Sequence, residues 1–181
     1  MDSNLSFTKY LQKLYKKGST KVKLLSTIRS NISPYVAETI YKTMVEPVIM
    51  YCSTVLLGEQ RQCCKKLQSI QDRAHRIVFG NKIKNSWIPI QNQRELNGAI
   101  DVFKSIHGFC PEAFENIFSR INHKKTARGN GLNLLVPRSK TETGRKTFAN
   151  EGALLFNKLP CELKEKRSLF LFKLKLKHFD S

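Results

Sequence analysis

The sequence predicts a mainly α protein: an N-terminal helical bundle of about four helices, then a smaller basic C-terminal segment with one or two short strands and a terminal helix. Three observations carry this expectation. Between Gln62 and Gly80 the apolar residues Cys63, Leu67, Ile70, Ala74, Ile77 and Val78 recur at helical steps of three and four. Similar stepping recurs in other stretches before residue 120. After Arg120 the composition turns polar and basic, and the apolar clusters shorten. The expected domains are therefore a helical one over 1–119 and a basic one over 120–181.

Taken in order, the first helix is expected from about Leu5 to Ile28. Phe7, Leu11, Leu14, Gly18, Val22, Leu25 and Ile28 would face inward, with Ile32 beyond them. Lys9, Lys13, Lys16, Lys17, Lys21, Lys23 and Arg29 would form a basic outer face. Gly18 costs about 1 kcal/mol of helix propensity against Ala. It is expected either to admit a close helix contact or to split the helix. Ser33 and Pro34 suit an N-cap and the first helical position. The second helix should run from Tyr35 to about Leu57, with Val36, Ile40, Met44, Val48, Tyr51, Cys52 and Val55 as its inner face. Its few charges predict the most buried helix. Pro47 should kink it near Val45–Glu46, and Gly58 should stop it.

The helix that ends at Gly80 carries Arg61, Lys65, Lys66, Arg73, His75 and Arg76 off its apolar stripe, as a cationic back. Residues 81–93 read as a loop, in which Trp87, Ile88 and Ile90 plug the core. A further helix follows from Gln93 to His107, with Leu96, Ile100, Phe103 and Ile106 inward and Gly108 as its stop. Cys110–Pro111 should open a short helix through Phe118, with Phe114, Ile117 and Phe118 inward. Leu132 to Val136 alternates between Gly and Pro, as a short strand or extended segment does. Phe148, Leu154, Leu155, Phe156 and Leu159 would form a second small core. The tail, with Leu169, Phe172, Leu176 and Phe179, reads as a helix, since Leu and Lys favour helix over strand.

Charge is the outlier of the composition. The chain has 32 Lys and Arg against 14 Asp and Glu, a net +18. Such an excess repels itself in the folded state and favours anionic partners, nucleic acid above all. The five cysteines, Cys52, Cys63, Cys64, Cys110 and Cys161, form no Cys-x-x-Cys pair, which suggests reduced thiols. The N-terminal stretch has no apolar run fit for a signal peptide, and the longest apolar runs are too short to span a bilayer. The expected location is nuclear or cytoplasmic, with no membrane partner and no small-molecule substrate.

Catalytic constellations are not found. His75, His107, His123 and His178 lie outside ligand spacing of any Cys, so no metal site is expected. No Gly-x-Ser-x-Gly occurs, and Gly129-Asn130-Gly131 is a lone Gly-x-Gly. The aspartates are Asp2, Asp72, Asp101 and Asp180, with no adjacent pair to hold Mg²⁺ for phosphoryl transfer. The expectation is a chain that is no enzyme and uses no cofactor. What remains is binding. Arg138, Lys140, Arg145 and Lys146 stand against Glu142 alone, with Arg128 just upstream. The guanidinium fork suits phosphate. Arg73 and Arg76 are secondary candidates.

The order of several phrases resembles the C-terminal part of reverse transcriptases of non-LTR, Jockey-like retrotransposons. The phrases are DSNLSFTKYL at Asp2–Leu11, KVKLLSTIRSNISP at Lys21–Pro34, IYKTMVEPVIMYCSTVLLG at Ile40–Gly58 and LQSIQDRAHRIVFG at Leu67–Gly80. VFKSIHGFCPEAF follows at Val102–Phe114, then RGNGLNLLVPRSKTETGRKTF at Arg128–Phe148 and GALLFNKLP at Gly152–Pro160. The resemblance spans nearly the whole chain. It implies a helical thumb, which holds an RNA template–DNA primer duplex, and a basic post-thumb segment. The polymerase aspartates of the family lie in a palm motif that is absent here, as is the Cys/His knuckle of some relatives. Phe156 stands where relatives often have Trp. The resemblance thus implies a non-catalytic fragment of an RNA-directed DNA polymerase, with a fingers–palm portion as a missing partner. The alternative is an element-derived interaction protein that packs on a protein partner through its apolar helices.

Overall fold

In the computed structural model, which describes residues 7–55, 57, 58, 61–81, 87–121 and 132–179, the lysine-rich N-terminal helix α1 spans Thr8–Ile28. Its expected start at Leu5 lies outside the described residues. Leu11, Leu14, Val22 and Leu25 are buried as the spacing requires, whereas Ile28 is exposed. The helix does not split at Gly18. A Cβ there would stand 2.9 Å from Ile49 Cγ2 and 3.1 Å from Ile70 Cδ1, so the missing side chain is what lets the neighbouring helices approach.

After a 3₁₀ turn at Arg29–Asn31, α2 covers Pro34–Ile40. Ser33 caps it, its hydroxyl accepting from the Val36 N–H at 3.3 Å. A π-helical turn over Tyr41–Val45 leads into α3, Glu46–Ile49. Pro47 has no N–H for the Thr43 carbonyl and its ring crowds that carbonyl, so the helix widens just before it. The Glu46 N–H reaches back to the Tyr41 carbonyl instead. The expected break is therefore present as a π turn. The helix ends at Ile49, not near Leu57, and turns follow through Val55.

The inner face of this helix differs from the expected one. Ala37, Tyr41, Val45 and Ile49 are buried, while Val36, Met44, Tyr51 and Val55 are exposed, Tyr51 at 63 %. The buried set is one residue later, about 100° around the helix. Both sets are apolar, so the spacing alone cannot choose between them. Packing chooses the set with small Ala37, and the helix is not the most buried one.

Helix α4 spans Arg61–Phe79 and packs along α1. Leu67, Ile70, Ala74 and Val78 form its buried seam; the side chain of Cys63 lies outside the described residues. His75, expected on the cationic back, is instead 1 % exposed. Its ring lies 5.1 Å from Trp87, edge-on, and 4.9 Å from Phe79, while Trp87 stacks on Tyr41 at 4.1 Å. Trp87 thus packs as expected, and its indole N–H donates to Glu38 at 3.2 Å. Ile90 is buried but Ile88 is exposed. Gln71 donates to the Ile88 carbonyl at 3.0 Å, and Gln68 accepts from the Ile90 N–H at 2.9 Å, which holds the backbone after Trp87 in place.

Helix α5 spans Ile90–Ile106. The chain falls into two compact units, Met1–Cys52 with Gln60–Gln91, and Ser53–Glu59 with Asn92–Ser181. The composition break at residue 120 falls inside the second unit, because Leu96, Ala99, Val102 and Phe103 of α5 share one core with Phe118, Leu134, Ala153, Phe156, Leu159 and Phe172. Cys110–Phe118 forms only a 3₁₀ turn, Glu112–Phe114, with Phe118 buried and Phe114 exposed. That turn is pinned through its backbone, the Ser105 hydroxyl donating to the Phe114 carbonyl.

Helices α6 (Glu142–Arg145), α7 (Phe148–Lys158), α8 (Cys161–Lys164) and α9 (Leu169–Phe179) complete the second unit. Phe156 and Leu159 are in its core as expected, but Leu154 is exposed. The tail is a helix, with Phe172 stacked on Phe103 at 4.2 Å. Among the described residues there is no strand, and the protein is mainly α-helical. Residues 132–136 are extended and make a single antiparallel bridge, Leu134 with Arg120. Asn157 takes the place of a second strand. Its side-chain amide accepts from the Leu134 N–H at 2.8 Å and donates to the Leu134 carbonyl at 2.9 Å. A side chain thus satisfies the backbone groups that would otherwise require sheet. No helix among the described residues is long and apolar enough to cross a membrane.

Candidate nucleic-acid interface

The basic segment is built on a short backbone scaffold. Asn150, buried in α7, donates to the Pro137 carbonyl and to the Ser139 hydroxyl, both at 3.3 Å. Thr141 caps α6, its hydroxyl accepting from the Gly144 N–H at 3.1 Å. At the far end, a Cβ on Gly58 would stand 2.5 Å from the Lys146 Cα, so the two backbones are in close contact. Between these anchors Arg138, Lys140 and Arg145 are exposed to solvent. Lys146 is half-buried and pairs with Glu142 at 3.0 Å, one helical turn away. The pair is local and partly solvated, so it neutralises the acid of the segment and little more. Arg128, the remaining residue expected in this group, lies outside the described residues.

The other expected cations sit on α4 of the first unit. Arg73 and Arg76 are exposed and three residues apart, hence on neighbouring positions of one face. The Arg73 guanidinium donates to the Ser19 hydroxyl of α1 at 2.9 Å, and Arg76 donates to the Asp72 carbonyl at 3.3 Å. Between α1 and α4 lies a groove of about 340 Å³, lined by Leu11, Gln12, Tyr15, Lys16, Lys66, Leu67 and Ser69. It brings Lys16 and Lys66 together, two lysines that the sequence placed on separate helices. Their convergence could be found only once α1 was known to pack on α4.

Arg29 and Lys164 are structural cations. Arg29, counted with the basic face of the first helix, reaches across to the end of α4. Its guanidinium donates to the Val78 carbonyl at 2.9 Å and to the Ile32 carbonyl at 2.8 Å. A cation there satisfies open carbonyls and complements the negative end of the helix dipole. Lys164 is buried, and its ammonium donates to Asn133 Oδ1 at 3.0 Å and to the Asn157 carbonyl at 2.8 Å. Burial holds its pKa below the usual lysine value.

Carboxylates are spread apart. Asp101 accepts from the Thr54 hydroxyl at 2.6 Å and pairs with Lys104 at 3.1 Å. Asp72 accepts from Gln68 at 2.8 Å. Asp2 and Asp180 lie outside the described residues. Among the described residues, no group of three or more His, Cys, Asp or Glu is placed to hold a metal ion. Compared with known families, curated proteins and solved structures, the chain matches no family model, no curated protein and no solved structure.

Proposed function

We propose that this chain is the thumb and post-thumb region of a non-LTR retroelement reverse transcriptase. In this reading it is a non-catalytic fragment of an RNA-directed DNA polymerase. It binds the phosphate backbone of an RNA template–DNA primer duplex, in the nucleus or the cytoplasm. The N-terminal helices serve as the thumb bundle. The observation that carries the reading is the anchored segment with Arg138, Lys140 and Arg145 exposed. Fixed backbone with outward cations lowers the ordering cost of gripping a phosphate row. The net charge of +18 favours the same class of partner. The identity of the duplex rests on the resemblance alone.

Salt dependence tests it. If about six phosphates are contacted, log K should fall with log salt at a slope of about −5 on an RNA–DNA duplex. The variant Arg138→Gln/Lys140→Gln/Arg145→Gln should flatten that slope by up to about 3 with unchanged circular dichroism. A slope near zero for the parent chain would end the nucleic-acid reading, and unchanged affinity of the variant would remove this segment from the interface. A second reading, a protein that packs on a protein partner, draws on the exposed Val36, Met44 and Tyr51 of the first unit. A missing fingers–palm portion would be one such partner.

A further inference from the structure

Helix α9 is apolar on two opposite sides. Phe172 and Leu176 point into the core of the second unit. Phe170, Leu171 and Leu174 point away from it, and Phe170 is 72 % exposed. At 3.6 residues per turn, Leu174 stands about 40° and Leu171 about 100° from Phe170, while Phe172 and Leu176 stand about 200° and 240° away. Over Phe170–Leu174 the outer stripe is therefore continuous and backs onto the core. Lys173 lies on one flank and Lys175 on the other, both exposed, and exposed Arg167 precedes the helix. The span Leu169–Phe179 contains no carboxylate; the nearest acids before it, Glu162 and Glu165, lie on and just after α8.

Contrary to the expectation of no membrane partner, we infer that this outer face of α9 docks on an anionic phospholipid surface. The helix would lie flat, with Phe170, Leu171 and Leu174 at the boundary between headgroups and acyl chains. Arg167, Lys173 and Lys175 would reach back to the headgroups, as cations flanking an apolar stripe do. Such a helix lies in the interface and need not cross it, so its length of 11 residues is no obstacle. Charge complementarity selects the occupant. A chain of +18 is drawn to an acidic lipid surface. Nucleic acid would use the lysines and could stack a base on Phe170, but it would leave the apolar surface of Leu171 and Leu174 in water, whereas the acyl boundary buries all three. The inference does not depend on the duplex-binding reading, which uses other residues.

The full chain with Phe170→Trp tests it against vesicles of phosphatidylcholine, with and without phosphatidylserine. The wild type, whose single tryptophan is Trp87, serves as the fluorescence reference. The expected result is blue-shifted emission of the new tryptophan and its quenching by brominated acyl chains, on the phosphatidylserine vesicles only. Lys173→Gln/Lys175→Gln should weaken sedimentation with those vesicles by about thirtyfold. Leu174→Glu, at a solvent-facing position, should abolish quenching with unchanged circular dichroism. Sedimentation without quenching would mean that net charge alone attracts the chain, and would overturn the inference. So would the absence of vesicle binding, full binding by Leu174→Glu, or a response of the new tryptophan to an RNA–DNA duplex in place of vesicles.

Discussion

Replacing Gly18 by Ala sets two known effects against each other. In a helix interior the change gains about 1 kcal/mol of propensity. Here the new methyl would meet Ile49 Cγ2 at 2.9 Å and Ile70 Cδ1 at 3.1 Å. The Ile70 atom is the far end of a flexible chain and can rotate aside. The Ile49 atom is on a β-branched carbon with a stiff χ1, so α3 itself must shift. Overpacking of this kind costs about 1–3 kcal/mol. Gly18→Ala should therefore lower stability by up to about 2 kcal/mol, although an isolated helix would be strengthened. The comparison becomes decisive with Ile49→Ala, which removes the clashing atom. That variant alone should cost about 2–5 kcal/mol. In its background Gly18→Ala should stabilise, by up to about 1 kcal/mol. Trp87, the single tryptophan, lies in the first unit, so its fluorescence in urea titrations follows this unit. The same sign in both backgrounds would refute the close approach of α3 to α1, and with it the frame that holds Ser19 beneath Arg73.

Two further outcomes follow from buried polar groups. Asn157→Leu leaves the N–H and C=O of fully buried Leu134 without their side-chain partner. A loss of about 1–3 kcal/mol for a stranded group is expected, with faster exchange of the Leu134 amide; unchanged exchange would show that the extended segment holds without the clamp. Glu46 and Glu38 should respond to acid in opposite directions. Burial raises the Glu46 pKa above 4.5, with Lys42 opposing. The fold thus prefers the protonated acid, so this contribution is complete below 4.5 and is lost as pH rises through the raised value. Hydrogen bonding to Lys42 is the largest of the effects that lower Glu38, so its contribution is present above 4.5 and is lost below it. Glu46→Gln should therefore exceed the parent in stability at pH 7 and lose that advantage on acidification to about 4.5. An advantage of equal size at both pH values would show that the Glu46 charge is not the cause.

What the sequence determined by itself was periodicity, stops and charge. The stripes of α1 and α4, the cap at Ser33 and the helical tail could be read because each depends on residues within a few positions of one another. The disturbance at Pro47 was legible for the same reason, since a missing N–H is a local fact. The exposure of Arg73, Arg76, Arg138, Lys140 and Arg145 agrees with the general preference of cationic side chains for water.

Tertiary structure alone decided what depends on distant partners. Helix α2 with its π turn offers two apolar faces, and only packing selects Ala37, Tyr41, Val45 and Ile49 over Val36 and Met44. His75 alternates with cations along the chain yet is enclosed by Phe79 and Trp87. Arg29 and Lys164 are indistinguishable in sequence from solvated cations, and become structural because carbonyls come within reach of them. The strand expected at Leu132–Val136 is replaced by a single bridge and the amide of Asn157, a residue whose partner lies 23 positions away. Local spacing reports which residues avoid water. Which neighbour covers them, and which polar group answers a buried carbonyl, is settled only when remote segments meet.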